Sequence, residues 1–77
     1  MRVWKMEGYE VHEVEYDGDL HEFEIVKDGE VITSILPIDM EDMEFLVADL
    51  DSGRGVNGWR DIMGNIIYIE GNIIYID

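Results

Sequence analysis

The chain has 77 residues, no cysteine, 47% apolar residues and a formal net charge of −14, from 19 Asp plus Glu against 5 Lys plus Arg. This is one small acidic domain spanning residues 1–77, with no disulfides or thiolate zinc sites to staple it, so large apolar side chains must supply the core. Plentiful, patterned apolar residues exclude acidic disorder, the sign of the charge opposes direct nucleic-acid binding, and no apolar run approaches the about 18 residues of a membrane span. The opening MRVWKMEGYE lacks the apolar stretch of a signal peptide, because Glu7, Gly8 and Glu10 interrupt it, and a cytoplasmic location is expected.

RVWKM reads as a short added strand or the start of a longer one, with Gly8 as the break. Two Asp-Gly pairs follow, Asp17-Gly18 and Asp28-Gly29, each between strand-like segments. Such pairs mark two-residue hairpin loops, because both central residues of a type I′ turn need positive φ. With those loops Val14 faces His21, Tyr16 faces Asp19, Phe23 faces Ser34 and Ile25 faces Ile32. One sheet face then collects Val14, Tyr16, His21, Phe23, Ile25, Ile32 and Leu36. The opposite face carries Glu13, Glu15, Glu22, Glu24 and Thr33, with Val26, Val31 and Ile35 as apolar exceptions. Tyr9 and Val11 are out of phase with Val14 and Tyr16, and a bulge near His12–Glu13 would bring all four to the core side.

The stretch PIDMEDMEFLVADLDSG predicts a helix. Asp39 is its N-cap, Ile38 and Met43 have the spacing of a hydrophobic staple, and Met43, Leu46, Val47 and Leu50 form the buried stripe. Glu41, Asp42 and Glu44 suit the positive end of the helix dipole, whereas Asp49 and Asp51 sit at its unfavourable end. Gly53 is the natural residue to follow the helix. Residues 53–65 read as a loop, with Trp59 expected to anchor it to the core. The chain closes on a duplicated heptapeptide, GNIIYIE at 64–70 and GNIIYID at 71–77. A type II′ turn at Gly71-Asn72 would pair Glu70 with Ile73, Ile69 with Ile74, Tyr68 with Tyr75 and Ile67 with Ile76. The expected fold class is therefore α+β: a small antiparallel β-sheet, built from an N-terminal three-stranded meander plus a C-terminal β-hairpin, packed with one α-helix in the order βββ-α-ββ. Strands apolar on both faces need cover on both sides, and an apolar strand edge left open is a template for another chain. Self-association into a homodimer is expected through Ile67, Tyr68, Ile69, Ile74, Tyr75 and Ile76.

Chemistry finds little footing. Ser34, Thr33 and Ser52 have no recognisable base or nucleophile motif near them. His12, His21 and Glu10 could face one another across neighbouring strands, but they carry no metal signature such as HExxH, and no metal or cofactor is expected. DLDSGRGVNGW starts like a calcium loop at Asp49 and Asp51, then places Gly53 and Arg54 where a ligand and glycine are needed, and lacks the closing Glu. No catalytic residue and no enzymatic activity are expected.

The charge is the remaining feature. Glu13, Glu15, Asp17, Asp19, Glu22, Glu24, Glu41, Asp42, Glu44, Asp49 and Asp51 are candidates for an acidic partner-binding surface. Alternate residues of a strand lie ~6.6–6.8 Å apart, similar to neighbouring phosphates, so such an array can fill a groove built for nucleic acid. A small, compact, strongly acidic domain without catalytic residues resembles the nucleic-acid mimics of bacteriophages and mobile elements, which include inhibitors of restriction enzymes and CRISPR nucleases. The resemblance is one of type and composition over the whole chain. It implies a basic nucleic-acid-binding protein as partner. The alternative is a non-catalytic assembly protein that self-associates through the C-terminal repeat, the acids serving only solubility.

Overall fold

The computed structural model describes residues 1–70 and 73–77, and the side chains of all of these except Glu70 and residues 73–75. The fold is α+β. Strands β1 (Val3–Lys5), β2 (Glu10–Asp17), β3 (Leu20–Lys27) and β4 (Glu30–Ile35) form an antiparallel sheet in sequential order. Helix α1 (Met40–Asp51) follows, then β5 (Asn57–Arg60), β6 (Ile66–Glu70) and β7 (Ile73–Ile76), a second antiparallel sheet in the order β5-β6-β7. The short β1 extends the expected meander by one strand, and β5 occupies part of the glycine-rich stretch read as a loop. An isolated bridge between Ile35 and Asp61 ties the end of β4 to the residue after β5.

The core lies on one face of the first sheet. Val11, Phe23, Ile25 and Ile35 pack there with Met43, Leu46 and Leu50 of α1 and with Val56 and Ile67 from the second sheet and its approach. The helix begins as its sequence predicts: the Asp39 carboxylate accepts from the Asp42 N–H at 2.9 Å. The staple does not form. Met43 is buried, but Ile38 is 85% exposed, and its backbone N–H instead donates to Asp42 Oδ2 at 3.0 Å.

The expected strand parity is corrected in both hairpins of the first sheet. Asp28 and Gly29 have φ of 54° and 79°, as a type I′ loop demands. At the other turn only Gly18 has positive φ, at 58°, and the two-residue loop is Gly18-Asp19, with Asp17 paired to Leu20. Val14 therefore faces Glu22 and Glu15 faces His21, and the irregularity falls at Tyr16 rather than at His12–Glu13. This register lets Tyr9 and Val11 enter the core without a bulge between them and Glu13, and it leaves Tyr16 56% exposed. A one-residue slip moves every side chain to the other face. Val14 thus leaves the core face and Glu13 joins it. In β4 a second irregularity, at Ile32, puts Thr33 opposite Ile25 and Ile35 opposite Phe23. Ile35 is buried in consequence and Ile32 is 41% exposed.

The duplicated heptapeptide forms the expected pairing, Ile67 with Ile76, Tyr68 with Tyr75, Ile69 with Ile74 and Glu70 with Ile73. The Gly71-Asn72 turn lies outside the described residues. Within the second sheet β6 is central and β7 is at one edge.

Candidate functional site

The register decides which acids reach solvent. Among the acids whose burial is described, only Glu13 and Asp61 are buried, at 4% and 7% exposure. Glu13 is thereby removed from the expected binding surface. It sits opposite Phe23 on the core face, where an unpaired carboxylate would be costly. Arg2 supplies the compensation: its Nε and Nη2 donate to the two Glu13 oxygens at 3.0 and 2.9 Å, and its backbone N–H adds a third bond at 3.1 Å. His21 Nδ1 lies 2.9 Å from Oε2. The Arg2 hydrogen bonds, with help from His21, outweigh burial and hold the Glu13 carboxyl at about 2. The Arg2 guanidinium also lies over the Trp4 ring, 5.2 Å from its centre. The sequence signal for this arrangement was a Glu in phase with Tyr9 and Val11, together with an arginine just ahead of the neighbouring strand.

Asp61 has a similarly structural role. Burial works to raise its pKa, but hydrogen bonds from the Asn65 and Met63 N–H groups, the Thr33 hydroxyl and the Asn65 amide together hold it below the usual range. The acids at the C-terminal end of α1 are tied as well. Trp4 Nε1–H donates to Asp51 Oδ1 at 2.8 Å, Trp59 Nε1–H donates to Asp49 Oδ2 at 3.3 Å, and Arg54 Nη1 lies 3.3 Å from Asp49 Oδ1. Both indoles of the protein thus use a helix-end carboxylate as acceptor, and Trp59 packs against the core as expected.

The expected ladder of Glu13 and Glu15 beside Glu22 and Glu24 is not built. Glu13 and Glu15 share the core-side parity of β2, while Glu22 and Glu24 lie with Val14 and His12 on the opposite face. What gathers instead is an acidic end. Glu15, Asp17 and Asp19 are exposed at the β2–β3 hairpin, and Asp39, Glu41 and Glu44 are exposed at the start of α1, where Asp42 is half-buried. The His21 N–H donates to Met43 Sδ at 3.4 Å, which sets the first turn of the helix beside that hairpin. The lysines lie elsewhere: Lys5 stands opposite Glu10 in the β1–β2 register, and Lys27 stands opposite Glu30 beside the Asp28-Gly29 turn.

His12 and His21 fall on opposite faces of the sheet, because β3 pairs His12 with Glu24 and His21 with Glu15. His12 Nε2 lies 2.8 Å from Glu10 Oε1, and among the described residues no group of three metal-ligating side chains is assembled. The candidate nucleophiles are occupied or enclosed: the Thr33 hydroxyl donates to Asp61, the Ser52 hydroxyl donates to the Asp49 carbonyl, and Ser34 is buried. Of the expected self-association residues, Ile67 is fully buried in the molecule's own core, Ile69 packs partly against it, and Tyr68 and Ile76 are 39% and 48% exposed. The side chains of Ile74 and Tyr75 lie outside the described residues. No helix among the described residues is long and apolar enough to cross a membrane.

Comparison with known proteins finds no matching family model, no significantly similar curated protein and no significantly similar solved structure.

Proposed function

We propose that this chain is a non-catalytic inhibitor that presents its acidic end to the nucleic-acid-binding groove of a basic protein. The observation that carries the reading is the gathering of Glu15, Asp17, Asp19, Asp39, Glu41 and Glu44, all exposed, at the meeting of one hairpin and one helix N-terminus. Carboxylates held on a strand turn and a capped helix keep fixed spacing, so little ordering is needed when a rigid row of Lys and Arg docks against them. The reading extends to a phage- or mobile-element protein acting in the host-cell cytoplasm against a CRISPR- or restriction-type nuclease. Tagged protein would be incubated with bacterial lysate and the captured proteins identified. Capture of a nucleic-acid-binding protein that is released by rising salt, displaced by DNA or RNA, and lost when Glu15, Asp17, Asp19 and Glu41 become amides supports it. Capture that ignores salt and those changes sinks it.

A second reading is favoured by one observation: β7 is an edge strand of the second sheet. A second copy added there would extend the sheet and make a homodimer. Sedimentation of wild type against Ile76→Lys distinguishes the two, since only the assembly reading requires the variant to lose mass.

A further inference from the structure

The acidic end also displays large apolar side chains. Ile38, just before the cap, is 85% exposed, and Met40 and Phe45, in the first two turns of α1, are 42% and 60% exposed. Ile38 and Phe45 line one shallow depression together with Asp39, Glu41 and Asp42, and an adjoining cleft runs from Ile38 and Asp42 to Leu36, Trp59 and Arg60. Two facts set these residues apart from scattered surface apolars. Ile38 carries a staple's sequence spacing, yet it points to solvent while Met43 turns inward. Its backbone is also clamped, because Ile38 N–H donates to Asp42 Oδ2 while Asp42 N–H donates to Asp39 Oδ1. An apolar side chain fixed on a rigid backbone and ringed by polar groups has the anatomy of an interface hot spot.

We propose that Ile38 and Phe45 form an apolar anchor at the centre of the acidic end, and that the occupant is a protein segment carrying an apolar side chain flanked by Lys or Arg. Charge complementarity selects this occupant: Asp39, Glu41 and Asp42 line the depression with the anchor, against the single cation Arg60 in the adjoining cleft, and disfavour an acidic or lipid-phosphate neighbour. The proposal rests on the basic-partner reading and adds to it, since pure mimicry of a phosphate backbone has no use for exposed Ile and Phe. Recognition then has two parts, long-range attraction and a short-range apolar lock.

The test uses two synthetic peptides of equal positive charge, one Lys-rich with a stripe of Leu and one with those Leu replaced by Gln, each titrated into the full chain at about 0.15 M salt, where long-range attraction is screened within about 8 Å. The Leu peptide is expected to bind at least about tenfold more tightly, with amide and methyl NMR shifts centred on Ile38 and Phe45. The double variant Ile38→Ser/Phe45→Ser should lower its affinity to that of the Gln peptide, whereas Val31→Thr, at an exposed position beside the Asp28-Gly29 turn, should not. Equal binding of both peptides overturns the anchor and leaves the acidic reading standing. Preference for Leu that survives the double variant overturns it too, by placing the apolar contact elsewhere. Binding of neither peptide counts against both proposals.

Discussion

Glu13 joins the N-terminal segment to the sheet, and its titration makes that joint sensitive to acid. The folded carboxyl titrates at about 2, below its ordinary 4.5, so its stabilisation is complete above about pH 4.5 and is lost as pH falls through about 2. The gap corresponds to roughly 3 kcal/mol at neutral pH. Melting of wild type and Glu13→Gln across this range should show wild type more stable at pH 7 by roughly 2–3 kcal/mol, with the difference vanishing near pH 2. A difference independent of pH would mean that packing, not charge, holds the segment. Gly55 presents a steric counterpart. It has φ of 76°, and a Cβ there would fall on the Tyr9 hydroxyl, which itself accepts from the Val56 N–H. Gly55→Ala should cost about 2 kcal/mol or more in denaturant melts, and adding Tyr9→Phe should recover part of that loss.

The helix end explains an oddity at the next scale. Asp49 and Asp51 oppose the helix dipole, but each accepts from an indole N–H that draws β1 or β5 towards α1. Asp51→Asn keeps an acceptor and relieves the dipole, so its melting temperature should equal or exceed that of wild type. Asp51→Ala should lose about 1 kcal/mol and alter Trp4 fluorescence. Elements with strong local signals were legible in sequence: the helix with its Asp39 cap, the Asp28-Gly29 turn and the pairing of the repeat. Register was not. Asp17-Gly18 and Asp28-Gly29 look alike locally, and their different loop registers are set by Tyr9 and Val11 packing in one phase with Glu13, and by Arg2 arriving from the segment just before β1. The acidic site was legible residue by residue but not in arrangement, because the same slip that buries Glu13 parts Glu15 from Glu22 and Glu24. Strand β5 was hidden for a related reason, since NGWR opens with Asn and Gly, which disfavour strands, and is held by pairing to β6.

For the whole molecule, self-repulsion at −14 is spread over extents of 31 × 24 × 22 Å. At about 0.01 M salt the screening length is about 30 Å, so the acids repel across the entire domain; at about 0.1 M it is about 10 Å and only neighbours interact. The melting temperature should therefore rise with salt, by roughly 4–8 °C for each 1 kcal/mol of repulsion removed. A flat response in calorimetry between those concentrations would show that the surface charges are already locally compensated. The same screening should weaken capture of a basic partner, so stability and binding are expected to move in opposite directions as salt is added.

The repeated heptapeptide has a further consequence, for how the chain finds its structure. Ile67 is the inner-strand residue that reaches the core, and Ile74 is its counterpart in the second copy. Sliding the chain by one repeat would offer β5 the same side chains, with Asp77 in place of Glu70, so two nearly equivalent sequences compete for one position during folding. Refolding should show a minor slow phase as chains that paired the wrong copy back out. Ile74→Thr, which removes the second copy's equivalent of Ile67, should reduce the amplitude of that phase relative to the main one in stopped-flow fluorescence. Duplication thus turns a stabilising strand into its own decoy.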